Sequence, residues 1–515
     1  MDRTRMTTDA PTSFDEMNLA STRLRAAVVA ASDDFFADKE SLLKPSEAVF
    51  LPEEYTDRGK WMDGWESRRK RATRDDSGCD WAIVRLGVPG VVRGVCVDTA
   101  FFRGNFPSHC SIEGCAAPSD ARPDELLAAE NEWVPILPKS PLRGDAKNNF
   151  TVDSPYAFTH VRLTIYPDGG IARLRVHGHA VPDFRRLGRL QGEVDLAAAE
   201  LGADVVLSSD MFFGERRNLI MPDVALNMGD GWETRRRRGP GSDWAIAALA
   251  ARGSIHRVLV DTHHFKGNFP DSCSIDVCDT PGATHAALAG GEHPWRSLLP
   301  PTRLQADARH WFQGELEAHG PVSHARLNVF PDGGVSRLRI FGTVGDAERK
   351  ALGLRRLNSR LPASAEKDFL ACAGTARWAA AMLARMPFAS VASLEAAADE
   401  AWGAATEADW REASLTHPRI GDAPKKHDAT AAWSRQEQSS ALGAADAKAA
   451  LTEMNRAYEE RFGMRYIVCA TGKSADELVA IAKERLANDP GKELRVVGDE
   501  LHKITLLRLS KVLEP

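Results

Sequence analysis

Glu66 stands two residues ahead of Arg68 in DGWESRRKR (63–71), and Glu233 two ahead of Arg235 in DGWETRRRR (230–238). Such a pair suits a small carboxylate ligand, because a planar guanidinium grips a carboxylate bidentately. The neighbouring acid can orient the arginine or move a proton. The plainer alternative is a solvated face: in an extended segment alternate residues point opposite ways, so only one or two arginines of each cluster could enter a site. Other polar residues also occur twice, Asp98 with Asp261, Asn105 with Asn268, and His160 with His324. Together with Glu66, Arg68, Glu233 and Arg235 they are the candidate acid, base and binding groups, and each could instead hold a loop in place. The copies diverge elsewhere, His263 and His264 standing against Ala100 and Phe101, and His109 against Ser272. One copy could therefore be catalytic alone, or one site could be shared.

The last third offers a different set. In DWREASLTHPRIGD (409–422) an apolar-periodic helix runs into His417-Pro418. Proline disfavours helical geometry in the residue before it, which predicts that the helix ends at His417. The negative end of the helix dipole would favour the imidazolium, a proton donor; the plain alternative is a residue that only stops the helix. In WSRQEQSSAL (433–442), Ser434, Glu437 and Gln438 are spaced to share a helix face. Serine followed three residues later by glutamate is also a capping box. Arg508 continues the apolar stripe Leu494, Val497, Leu501, Ile504. A guanidinium there needs an anion, from Glu437 or a substrate, unless it snorkels out at the end of the stripe.

These residues sit on two kinds of framework. VDTAFFRGNFPSHCSIEGC (97–115) aligns without a gap to VDTHHFKGNFPDSCSIDVC (260–278), and the motifs around them recur in order. SDDFF (32–36) matches SDMFF (209–213), CDWAI (79–83) matches SDWAI (242–246), and HVRLTIYPDGGIARLRVHG (160–178) matches HARLNVFPDGGVSRLRIFG (324–342). Two related modules of about 150 residues follow. Val161, Leu163 and Ile165 alternate with polar residues before PDGG, and Ala172, Leu174 and Val176 alternate after it. That pattern predicts a β-hairpin, and each module is expected to be an all-β jelly-roll sandwich. GNFP reads as a turn. Cys110 and Cys115, like Cys273 and Cys278, lie five apart on expected strands and point to opposite faces, which favours packing over metal ligation. From about residue 350 glycine thins, alanine rises and the apolar period becomes helical. The expected domains are β-sandwich repeats at 22–183 and 197–345 and an all-α domain at 355–515.

The 515-residue length demands several domains. A net charge of −6 argues against a nucleic-acid binder, and no apolar run reaches the length of a membrane span. The amino terminus has no signal-peptide core. Eight cysteines without a CxxC pair suit a reducing cytoplasm.

The repeated motifs DGWE(S/T)RR, the DW pair, VDT…F(R/K)GNFP, CSI and PDGG…RLR resemble the allantoicase family over nearly all of residues 28 to 342. The resemblance implies two jelly-roll modules and hydrolysis of allantoate to (S)-ureidoglycolate and urea. It carries over no secure role for any residue and leaves metal use open. LNSRLP, HPRIGD, WSRQEQSS, MNRAYEERFGMRYIVCATG and ITLLRLSKVL resemble OHCU decarboxylase, the ureidoimidazoline decarboxylase of urate breakdown, over about residues 355 to 515. That implies an all-α enzyme needing no cofactor, with His417 as catalytic histidine and Glu437 as its acid. Pro418, Ser434, Arg435, Gln436, Gln438, the stretch Tyr466, Ile467, Val468, Cys469 and Ala470, and Arg508 would bind substrate, and imidazolium His417 would protonate the carbanion to give (S)-allantoin. Arg465 departs from the family, where many relatives carry proline. The combined reading is a bifunctional enzyme of ureide catabolism. Its partners would be small-molecule ureides, a second copy of itself and an allantoinase for the intervening step, with no nucleic acid or membrane. Its rival is an active decarboxylase carrying a non-catalytic ureide- or sugar-binding β module.

Overall fold

The computed structural model describes residues 13–70, 78–129, 131–181, 192–290, 293–417, 419, 433 and 445–514. The chain divides into two units, Met1–Glu348 and Arg349–Pro515.

Each module of the first unit is organised by one long strand, Asp80–Asp98 and Asp243–Asp261. Its length lets it belong to two parts of a sheet. The first half of Asp80–Asp98 pairs with Ala157–Tyr166, from Ile165 opposite Asp80 to His160 opposite Arg85. The second half pairs with Arg173–Ala180, from Arg173 opposite Asp98 to Ala180 opposite Gly90. Between the halves lies Gly87-Val88-Pro89-Gly90. A Cβ on Gly87 or Gly90 would stand 2.4 Å from the Leu24 carbonyl or 2.5 Å from the His179 carbonyl, so only glycine lets those chains approach. The second module repeats the pattern, with Val322–Phe330 and Arg337–Thr343 as partners of its long strand. Val84, Val95, Val97, Val161, Leu163, Leu174 and Val176 are buried in the first module, and Ile83 is buried in a separate cluster with Cys115, Ala117 and Leu126.

The hairpin expected around PDGG does not form. Strands 157–166 and 173–180 pair with opposite halves of Asp80–Asp98 rather than with each other. Between them Gly170–Ile171 pairs with Trp65–Glu66. Alternating hydrophobicity reports a strand but not its partner, and here the turn residues dock onto the DGWE segment. The modules also begin ahead of positions 22 and 197: Met17–Asn18 and Val194–Asp195 are edge strands on Arg173–Ala180 and Arg337–Thr343.

The regular elements of the second unit, among its described residues, are all helices. Helices Pro362–Ala373, Ala376–Leu383, Val391–Gly403 and Glu407–Thr416 precede Ala445–Phe462, Ala475–Arg485 and Pro490–Val512. The stripe Leu494, Val497, Leu501 and Ile504 is buried with Phe369, Trp378 and Leu394. Among the described residues no helix is long and apolar enough to cross a membrane.

Candidate functional sites

In the first module three distant segments close on one another. Glu66 pairs by its backbone with Gly170. The Asn105 carbonyl accepts from Gly170 N at 2.8 Å, while the Asn105 amide donates to Glu66 Oε1 at 2.8 Å. Gly169 has φ +134°, and a Cβ there would lie 2.5 Å from the Asn105 carbonyl. Phe102 fills the floor, so close that Cβ atoms on Gly64 and Gly170 would strike its ring. Burial pushes the Glu66 carboxyl above its ordinary range, against the pull of the Asn105 hydrogen bond and the charge of Arg69. Asp168 of PDGG accepts from Lys70 N at 2.7 Å and lies 3.7 Å from Arg69 Nε.

The second module repeats this closure. Asn268 donates to Glu233, Gly334 N donates to the Asn268 carbonyl at 2.8 Å, and Arg237 N donates to Asp332 at 2.8 Å. GNFP and PDGG are thus more than isolated turns: they meet at the DGWE glutamate.

Arg68 is held by Asp33, which accepts from its backbone N at 2.8 Å and from Nε at 2.6 Å. Its guanidinium lies 5.1 Å over Phe35. Arg235 has the same hold from Asp210, by N at 2.7 Å and Nη2 at 2.9 Å, and lies 5.1 Å over Phe212. The arginines are therefore oriented by these aspartates rather than by Glu66 and Glu233. Asp33, Asp210, Asp168 and Asp332 were missing from the candidates, although all four lie in repeated motifs.

Asp98 and Asp261 end the long strands and start the loops leading to GNFP, accepting from Ala100 N and His263 N, each at 2.9 Å. His160 and His324 are elsewhere. His160 is buried mid-strand, with Thr159 Oγ1 2.9 Å from Nδ1. It lies six residues from Tyr166, about 20 Å of strand from the PDGG turn. His324 is likewise buried, 2.9 Å from Ser323 Oγ. Burial pushes both imidazoles down to about 4, as expected of core histidines. The second module has its own features beside GNFP: His263 Nδ1 is 2.9 Å from Asp307, and His264 Nε2 is 2.8 Å from the Ala225 carbonyl. Where His264 stands, Phe101 stacks on Phe50 with ring centroids 5.7 Å apart. The four paired-motif cysteines are buried and free, and burial pushes Cys110 and Cys273 up to about 12.

In the helical unit His417 caps Glu407–Thr416 with ψ 140°, as the following proline predicts. It is 4% exposed and Arg508 3%. His417 Nδ1 lies 2.9 Å from the Ala413 carbonyl, and Arg508 Nη1 lies 3.2 Å from His417 Nε2. A carbonyl only accepts and a guanidinium only donates. These contacts set Nδ1 to donate to Ala413 and turn Nε2 toward Arg508. Arg508 also reaches the Ala371 carbonyl at 3.2 Å, so it is buried against polar groups and does not snorkel. Arg465, the departure from the family pattern, donates to the His417 carbonyl.

Segment 466–470 is pinned from outside. Tyr466 donates to the Leu478 carbonyl at 3.0 Å, Arg485 donates to the Ile467 carbonyl at 2.7 Å, and Glu500 accepts from Cys469 N at 2.7 Å. Val468 and Ala470 are buried. Pro418, Ser434, Arg435, Gln436, Glu437 and Gln438 lie outside the described residues. Among the described residues no group of three or more His, Cys, Asp or Glu could hold a metal ion.

Comparisons with known proteins follow the same division. The allantoicase repeat family matches residues 17–181 and again 194–345. The OHCU decarboxylase family matches residues 358–510. "Probable allantoicase 1" of Burkholderia mallei is 50% identical over 328 residues, 64% of this chain and 94% of that one. "Probable allantoicase" of Pseudomonas fluorescens is 47% identical over 328 residues, 64% of this chain and 96% of that protein. The crystal structure of allantoicase from Saccharomyces cerevisiae superposes with a TM-score of 0.53 at 31% identity, covering 65% of this chain and 95% of that one.

Proposed function

The chain belongs to the allantoicase family and carries an OHCU decarboxylase domain behind its β modules, and we propose how its residues share the two reactions. It is a bifunctional enzyme of purine catabolism, a hydrolase of ureide substrate in the first unit and a carboxy-lyase in the second. A non-catalytic β module is not favoured, because both modules match allantoicases over almost the full length of those proteins.

In the hydrolase, allantoate and water yield (S)-ureidoglycolate and urea, and a ureido nitrogen must be protonated as it leaves. Glu66, raised by burial and oriented by Asn105, is suited to donate that proton. In the second module Asn268 holds Glu233 in the equivalent position, and by that geometry Glu233 takes the equivalent role. Arg68 and Arg235 present the guanidinium edges that Asp33 and Asp210 leave open, and these take the substrate carboxylate. The observation that carries this reading is the Glu–Asn–Gly closure, built twice from GNFP, PDGG and DGWE. The modules belong to the jelly-roll class of β-sandwich, their long strands passing between two parts of the sheet.

In the decarboxylase, the substrate's negative charge draws Arg508 away from His417 Nε2. The released lone pair takes up a proton from water, and the imidazolium gives that proton to the carbon whose electron pair is left when carbon dioxide departs. Ala413 keeps the other ring nitrogen in register, and segment 466–470 lines the substrate. Glu437 with Pro418, Ser434, Arg435, Gln436 and Gln438 completes the site as the family pattern implies. This half works without a cofactor. Eight free cysteines fit a reducing cytoplasm. Exposed Phe212, Phe213 and Leu226 offer apolar surface for self-association, and an allantoinase supplies the step between the two reactions.

The test is urea release from allantoate by the full-length protein, with and without chelator. Urea above background is expected, and loss on chelation would add a metal. No urea under either condition, from protein whose decarboxylase half is active, would overturn the hydrolase reading.

A further inference from the structure

The two modules differ in how they hold the aspartate that opens DGWE. In the first, Asp63 accepts from Arg173 Nη2 at 2.6 Å, from Val49 N at 3.1 Å and from Lys44 Nζ at 2.7 Å. All three donors come from the first module. In the second, Asp230 accepts from Arg337 Nη2 at 3.1 Å and from Leu226 N at 3.0 Å, the counterparts of Arg173 and Val49. The counterpart of Lys44 is Met221, as the shared contacts fix: Lys44 and Met221 each offer a carbonyl to the equivalent arginine, Arg175 or Arg339, at 2.5 Å. A methionine gives Asp230 no cation. The missing one comes from the first module, whose Arg23 pairs with Asp230.

Arg23 does more than replace a charge. It also donates to the side-chain oxygen of Asn218, whose amide donates to the Gly231 carbonyl at 2.8 Å. Gly231 immediately precedes Trp232–Glu233, the strand that closes on Gly334 and Asn268. The counterpart of Arg23 in the second module is Glu200, so the second module has no equivalent arginine to give in return.

We infer that Arg23 is a positioning residue for the second module's hydrolase site, which is complete only with this side chain of the first module in place. Among the described residues Asp63 takes its hydrogen bonds from within the first module. The dependence rests on reading Glu233 as part of a working site.

The test uses the full-length protein, with decarboxylation as the control for dose and folding. E66Q silences the first module, and urea release then reports the second. In that background R23Q is expected to lower kcat for urea release about 10-fold or more, since small misplacements of a catalytic group carry such losses. Adding M221K, which gives Asp230 the lysine that Asp63 already has, is expected to restore it to within about three-fold. An arginine that only stapled the modules together would not be replaced by a lysine from within the second. R23Q without effect, an R23Q loss or misfolding that M221K does not reverse, or an E66Q background with no urea release at all would each overturn the inference. An E66Q/E233Q protein as active as wild type would instead overturn the reading of the glutamates.

Discussion

The two β modules build the same closure with different surroundings, and the contrast separates what the fold requires from what each site adds. Shared residues tie down backbone N–H groups: the Asn105 and Asn268 carbonyls accept from Gly170 and Gly334, and the Asp168 and Asp332 carboxylates accept from the backbone N–H of Lys70 and Arg237. The divergent residues surround that closure. Phe101 stacks on Phe50 in the first module, whereas His263 and His264 lie beside Asp307 in the second. Lys44 serves Asp63 from within, whereas Arg23 serves Asp230 from the neighbouring module. Duplication preserved the turns that hold the glutamates and let their supports drift.

The strongest prediction concerns whether the clusters are equivalent. E66Q/E233Q should lose urea release by about 100-fold or more, the usual worth of a positioned acid, while each single variant keeps roughly half. If one single variant accounts for the whole loss, the modules are not equivalent.

The core histidines should behave alike in both. Their folded values are pushed down to about 4 from an ordinary 6.5, so the unfolded chain takes up their protons first. Stability of the β unit should therefore be full above pH 6.5 and fall as pH drops toward 4, by a few kcal/mol in order of magnitude. Urea melts against pH measure it, and H160N/H324N should flatten that limb. An unchanged limb would mean that other groups govern acid stability.

Glycines sharpen the comparison of turns. G169A and G333A place a side chain at φ +134° and +130°, against the Asn105 and Asn268 carbonyls, and should cost about 1–3 kcal/mol or more. G104A and G267A meet nothing within 4 Å and should stay within about 0.5 kcal/mol of wild type. Thermal melts of the four variants would rank the turns. The smallest effect belongs to the arginine clamps: D33N and D210N together should raise KM for allantoate about three- to ten-fold with little change in kcat, as expected when uniform binding is lost. A kcat loss without a KM change would move the clamp from binding to chemistry.

Repetition and periodicity made much of this legible. Repeated motifs announced two modules, the 2.0 and 3.6 periods separated β from helical segments, and Pro418 marked where the helix stops. What they left hidden were partners. PDGG lay between two convincing strands, yet those strands pair with opposite halves of Asp80–Asp98. The clamp between Asp33 and Arg68 joins residues 35 apart and appears in no local pattern. Likewise the helix end at His417 is legible in the sequence, whereas its contact with Arg508, 91 residues away, is not. Comparing the copies position by position does mark Lys44 against Met221, but only the fold shows that Arg23 fills the gap.

The most direct measurement is a double assay on one preparation, following urea from allantoate and carbon dioxide from OHCU in wild type, E66Q/E233Q and H417N. Wild type should perform both reactions. E66Q/E233Q should lose urea release and keep decarboxylation, and H417N should lose decarboxylation by about 100-fold or more and keep urea release. A wild-type protein that performs one reaction only, or a variant that loses both while remaining folded, would contradict two separate sites on one chain.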